Sequence, residues 1–148
     1  TLTKNRSDAI VIGKFTIHLA IIFTLIMCTF YNETMRQYAL ENIMGLPLSM
    51  VNYITPALLL TPLLALSMTA AAYTRGQLLA SRKTGAIAFA SVARILAVCA
   101  TGLIAISLSD VNGAVVGVLA LISAFITETI ILGCKVLYAE RWQGGLFH

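Results

Sequence analysis

The sequence predicts an all-α integral membrane protein with four transmembrane helices, and three observations carry that prediction. Hydrophobic residues make up 59% of the 148 residues and charged residues only 11%, against about 45–50% and 25% in ordinary soluble domains. The few charges are gathered between long apolar runs instead of being spread along the chain. Each run exceeds the roughly 20 residues needed to cross about 30 Å of hydrocarbon at 1.5 Å per residue. Because the runs are continuous, helices are expected; barrel strands alternate in stretches of about ten.

The elements follow in order. Residues 1–8 form a polar lead-in, and Asp8 is placed to cap the first helix. The first span covers about 9–31, with Lys14 its one charged residue. Residues 32–45 then mix Glu33, Arg36 and Glu41 with Met35, Tyr38, Leu40, Ile43 and Met44. That mixture predicts a short helix lying on the membrane surface, stopped by Gly45 and Pro47. The second span, 46–73, has no charge but contains Pro56 and Pro62, each of which removes a backbone donor and bends a helix. Thr55 and Thr61 precede them and are placed to bond the freed carbonyls. Such a helix is either a flexible cavity wall or a static kink.

A short basic loop, 74–85, leads to the third span, 86–107, whose one charge is Arg94. Asp110-Val111-Asn112-Gly113 reads as a tight turn into the fourth span, 113–138, which carries Glu128 and Lys135. Loops this short make the last three spans antiparallel neighbours. Residues 1–148 thus read as a single transmembrane domain, with no linker or low-complexity tract.

The formal net charge of +4 raises the question of nucleic acid, and the placement of the charges answers it. Lys4, Arg6, Arg75, Arg82, Lys83, Lys135 and Arg141 fall on segments that four spans put on one side, whereas Glu33, Arg36, Glu41 and Asp110 fall on the other. The positive-inside rule then places both termini in the cytoplasm. The basic excess orients the chain in lipid and calls for no nucleic-acid partner. Cys28, Cys99 and Cys134 lie within spans without metal-like spacing and read as small packing residues. No signal-peptide pattern opens the chain, and it begins at Thr1 instead of Met.

The residues that bear chemistry are the ionisable ones inside lipid. Such a group costs roughly 2.5–3.5 kcal/mol on insertion scales, so it faces a partner or a wet cavity. Arg94 lies roughly 12 Å from the cytoplasmic start of its span, Glu128 roughly 15 Å from the cytoplasmic end of its own, and His18 roughly 13 Å into the first. Glu128 shares a side of its helix with Gly113, Gly117 and Ala124, small residues that admit a close neighbour. Arg94 shares its face with Ala90, Ser91, Ala97 and Thr101. Two readings follow: a charged pair lining a polar pathway, in which Arg94 holds an anion, or a pair that only fixes packing. His18 is a substrate-pathway candidate or a packed histidine; Lys14 snorkels to the inner surface. Arg82 and Lys83 set topology or draw anions to the inner mouth. No nucleophile elbow, phosphate loop or HExxH sequence is present. No enzyme, metal or cofactor is therefore expected.

From about 42 to 142 the chain resembles the C-terminal part of the progressive ankylosis (ANK) protein family, multipass membrane proteins associated with pyrophosphate export. Arg82-Lys83-Thr84 and Ser91-Val92-Ala93-Arg94-Ile95 carry the resemblance, followed by the stretch Val111-Asn112-Gly113-Ala114-Val115-Val116-Gly117-Val118 and by Phe125-Ile126-Thr127-Glu128. More broadly the ending is similar to the last helices of a bundle in the multidrug, oligosaccharide-lipid and polysaccharide (MATE-like) exporter superfamily. The resemblance implies two six-helix bundles with alternating access, and efflux of anions such as pyrophosphate, nucleotides or citrate. Arg94 and Glu128 are the positions it carries over as pathway residues. Four spans are a third of such a transporter, so the chain is expected to be its C-terminal fragment, working with the missing helices or with other copies in the plasma or inner membrane. Two alternatives stand beside it. One is a drug or lipid-linked sugar exporter coupled to protons or sodium through Glu128; the other is a four-helix membrane subunit that transports nothing.

Overall fold

The computed structural model describes residues 2–80, 84–108 and 111–144, and every regular element among them is helical. Helix α1 spans Leu2–Cys28 and runs into a 3-10 turn at Thr29–Tyr31. Helix α2, Glu33–Gln37, continues as a π-helical stretch, Tyr38–Ile43. Then come α3 (Leu48–Leu59), α4 (Thr61–Ala80), α5 (Thr84–Ser107) and α6 (Gly113–Gly144). Three stretches are individually long and apolar enough to cross a membrane: Gly13–Tyr31, Thr84–Ser107 and Gly113–Val136. The pair α3 and α4 makes a fourth crossing if its two halves, bent by 42°, form one span.

The expected second span is therefore two helices. Pro62 removes the donor that would reach the Leu58 carbonyl, and Thr61 Oγ1 takes its place at 2.6 Å. The neighbouring Leu59 carbonyl accepts the Tyr31 hydroxyl from the end of the first span at 2.7 Å. Pro56 behaves differently, because the helix continues through it. Thr55 Oγ1 bonds Val51 O, not the Asn52 carbonyl that Pro56 frees. The expected relief by threonine thus operates at one proline and not at the other.

Three further expectations need correcting. Helix α1 already includes Asp8, so that residue lies within the helix and not at its start. Helix α4 runs to Ala80, well past the predicted end at residue 73, which puts Arg75 on a helix instead of in a loop. Cys28, Cys99 and Cys134 are unpaired but exposed, and do not pack inside. The segment after the first span is helical as expected: the Asn32 side chain caps α2 by accepting from Thr34 N, and Gly45 ends the turn at φ +67°, where a Cβ would be strained.

Helix α6 is central. It packs along both α4 and α5, which touch each other far less, and α1 packs chiefly on α4. Small residues set these distances: Ala120 and Ala124 on α6 and Ala90 on α5 are buried. Leu78, Ala90 and Leu132 form the buried centre where α4, α5 and α6 meet, surrounded by Ala86, Ile87, Ile131 and Val136. The outward faces of α1 and α5 are strongly apolar, with Phe15, Ile22, Leu25, Phe89, Leu96 and Ile104 all exposed. Contiguous surfaces of that kind meet lipid or other protein, seldom water.

Candidate functional site

The buried polar groups among the described residues are Ser67 and Glu128, and the carboxylate is wholly enclosed at 0% exposure. Periodicity explains its burial. Ala120, Ala124, Glu128 and Leu132 recur every four residues on α6, all buried, so Glu128 lies in the seam between helices. A carboxylate there is stable only with cationic or hydrogen-bonding partners.

Two arginines supply them, one from each flanking helix. Arg75 on α4 donates through both Nε and Nη2 to Glu128 Oε1, the Nε contact being 2.9 Å. Arg94 on α5 donates through Nη1 to Glu128 Oε2 at 3.4 Å. Charge-assisted bonds of this type are usually about 2.7–2.9 Å, so the Arg75 contact is close and the Arg94 contact long. Among the described residues no second carboxylate pairs with either arginine. Arg75, Arg94 and Glu128 by themselves carry two positive charges and one negative, a surplus of one.

The surplus charge lies toward the α5 side. Arg94 is about as exposed as Arg75 but has the longer contact to Glu128, and its guanidinium carbon sits 5.9 Å from the centre of the Phe125 ring, within cation–π range. It borders an open cavity of about 380 Å³ walled by Ile95, Val98, Cys99, Leu121, Ala124 and Phe125. About two turns along α5 from Arg94, the hydroxyls of Thr101 and Ser123 lie 2.9 Å apart and tie α5 to α6. The arrangement is one cationic fork over a mainly apolar recess, able to receive a carboxylate or phosphoryl oxygen.

The other expected site residues lie elsewhere. His18 is exposed on α1 and its Nδ1–H donates to the Lys14 carbonyl at 2.7 Å, a bond within its own helix. Lys14 is exposed as well. The structure thus brings Arg94 and Glu128 together and leaves His18 and Lys14 outside the cluster. Arg82 and Lys83 lie outside the described residues.

Arg75 is the residue that sequence reasoning missed. Ending the second span at the first charge assigned it to a topology-setting loop. A signal was present: Ser67, Ala71, Arg75 and Leu78 follow one another at helical spacing, and the other three are buried. The stripe runs through the arginine instead of stopping before it. No group of three or more His, Cys, Asp or Glu able to hold a metal occurs among the described residues. No protein-family model matches the chain, and no solved structure matches it.

Proposed function

We propose that this chain is part of a membrane transporter that exports small anions, with pyrophosphate, nucleotides and citrate as the substrate class. The observation that carries the reading is the surplus positive charge at Arg94, open to a cavity while Glu128 is enclosed. A cation left at mid-membrane needs an anion or a wet pathway beside it. The resemblance to the ankylosis family runs through both residues and supports the same reading. In this proposal the helices belong to a MATE-like bundle, and further helices of the same transporter, or other copies, cover the exposed faces of α1 and α5. Both termini are cytoplasmic, in the plasma or inner membrane, with Arg82 and Lys83 at the inner mouth.

The test is release of pyrophosphate, ATP and citrate from cells expressing the protein, beside Arg94→Ala and Glu128→Ala at matched surface levels. Release falls sharply in both variants if the pair works in the pathway. Normal release by both would sink the proposal.

A second reading has its own observation. Glu128 is fully buried and held by two N–H groups of Arg75, as in a cluster that locks a structural subunit into one packing. Failure of the Glu128 variant to assemble with a partner protein, with no anion flux from the wild type, would favour it.

A further inference from the structure

The two arginines do not hold Glu128 equally. Arg75 makes two contacts to Oε1, one of them 2.9 Å, whereas Arg94 makes one contact of 3.4 Å to the other oxygen, Oε2. A hydrogen bond weakens toward the long end of its range. The two side chains are about equally exposed, so the difference lies in their contacts: Arg94 borders the cavity, and the Phe125 ring beneath it supports the guanidinium independently of the carboxylate. One oxygen of Glu128 is therefore fixed and the other is exchangeable.

We propose that Glu128 is the resident anion of the site: Arg75 holds it in place, and an incoming carboxylate or phosphoryl group displaces its Oε2 from Arg94. This rests on the anion-pathway reading above. Displacement leaves no charge buried alone, because Arg75 keeps the carboxylate paired while Arg94 exchanges one oxyanion for another. The planar fork of Arg94 takes two oxygens of such a group side by side, where Glu128 offers it one. The resident carboxylate keeps the cation paired when the cavity is empty, and sets a threshold that weakly charged solutes do not pass. Arg75 is a positioning residue, acting on the substrate only through Glu128.

The test uses the full chain in phosphatidylcholine nanodiscs, with radiolabelled pyrophosphate as the probe. Removing the competing charge in Glu128→Gln should tighten binding on the order of tenfold, the worth of one charged hydrogen bond. Arg94→Gln should abolish binding. Arg75→Gln should weaken it, because the carboxylate is then left to Arg94, and Arg75→Gln combined with Glu128→Gln should recover much of that loss. Equal or weaker binding by Glu128→Gln, with the wild type binding and Arg94→Gln not, overturns the displacement and leaves the anion pathway standing. No binding by either the wild type or Glu128→Gln overturns both. If Glu128→Gln does not fold, infrared difference spectra of the wild type decide: pyrophosphate has no carboxylate, so a carboxylate shift on its addition, absent in Arg94→Gln, reports the displaced oxygen. Binding without such a shift overturns the proposal. Doping the nanodiscs with phosphatidic acid separates the two sources of a phosphoryl group, since competition by the lipid assigns a headgroup and its absence a soluble anion.

Discussion

Helices α1 and α6 are both apolar enough to cross a membrane, yet they occupy opposite positions in the fold. In the crossing stretch of α1 only 6% of residues are buried, against 22% in that of α6. Each carries ionisable residues within its apolar run. Those of α1, Lys14 and His18, are exposed, and His18 bonds its own helix. Glu128 of α6 is enclosed and bonded from two other helices. An ionisable residue in an apolar helix becomes a site when neighbouring helices deliver partners to it. Small residues allow that delivery, since Ala120 and Ala124 bring α4 and α5 close enough for their arginines to reach.

The contrast can be broken by substitution, and the largest effect belongs to α6. Glu128→Ala leaves two arginines without their counter-charge and should cost about 3 kcal/mol or more in reversible unfolding from bicelles. A loss below about 1 kcal/mol would mean that the arginines find water and that α6 is no more a centre than α1. Next comes a close approach on α1. A Cβ on Gly13 would sit 3.2 Å from Tyr73 Oη, so Gly13→Leu overpacks the α1–α4 contact and should cost about 1–3 kcal/mol. If the same unfolding assay detects nothing, α1 rests on α4 without interlocking. Thr101→Ala, at the hydroxyl pair between α5 and α6, should remove about 0.6 kcal/mol, the average for such bonds between membrane helices. The smallest effect is expected on the open face of α1, where His18→Ala should lie within about 0.5 kcal/mol of wild type. A loss comparable to that of Glu128→Ala would reveal a partner for His18 and erase the contrast.

What the sequence disclosed depended on the range of the signal. Span number came from apolar length, a local property: three stretches meet it singly, and the fourth does so only as the bent pair α3 and α4. The break at Pro62 and its repair by Thr61 were legible because both residues lie within one turn of the carbonyl concerned. The same logic failed at Thr55, whose rotamer puts its hydroxyl on the carbonyl four residues back instead of the one freed by Pro56. Arg94 and Glu128 stood out because each is a lone charge amid apolar residues. Arg75 was hidden by its neighbourhood, since a charge near other charges reads as loop when span ends are drawn by charge alone. The Tyr31 bond to Leu59 joins residues 28 apart, and nothing local announces it.

The break at Leu60 gives the cluster a mechanical setting. The first arm, α3, is tied at its end and at its middle: Tyr31 holds the Leu59 carbonyl, and Tyr53 accepts from Gly113 N through its hydroxyl and from the Asn112 side chain through its carbonyl. The second arm, α4, begins at Thr61 and carries Arg75 some fourteen residues along, a lever of roughly 21 Å at 1.5 Å per residue. On such an arm each degree of swing moves Arg75 by roughly 0.4 Å, so three degrees carry it about 1 Å. A hydrogen bond does not survive a stretch much beyond that. The grip on Glu128 is therefore a sensitive gauge of the angle at Leu60, and a ring 44 residues earlier in the chain than Arg75, that of Tyr31, helps to set its zero.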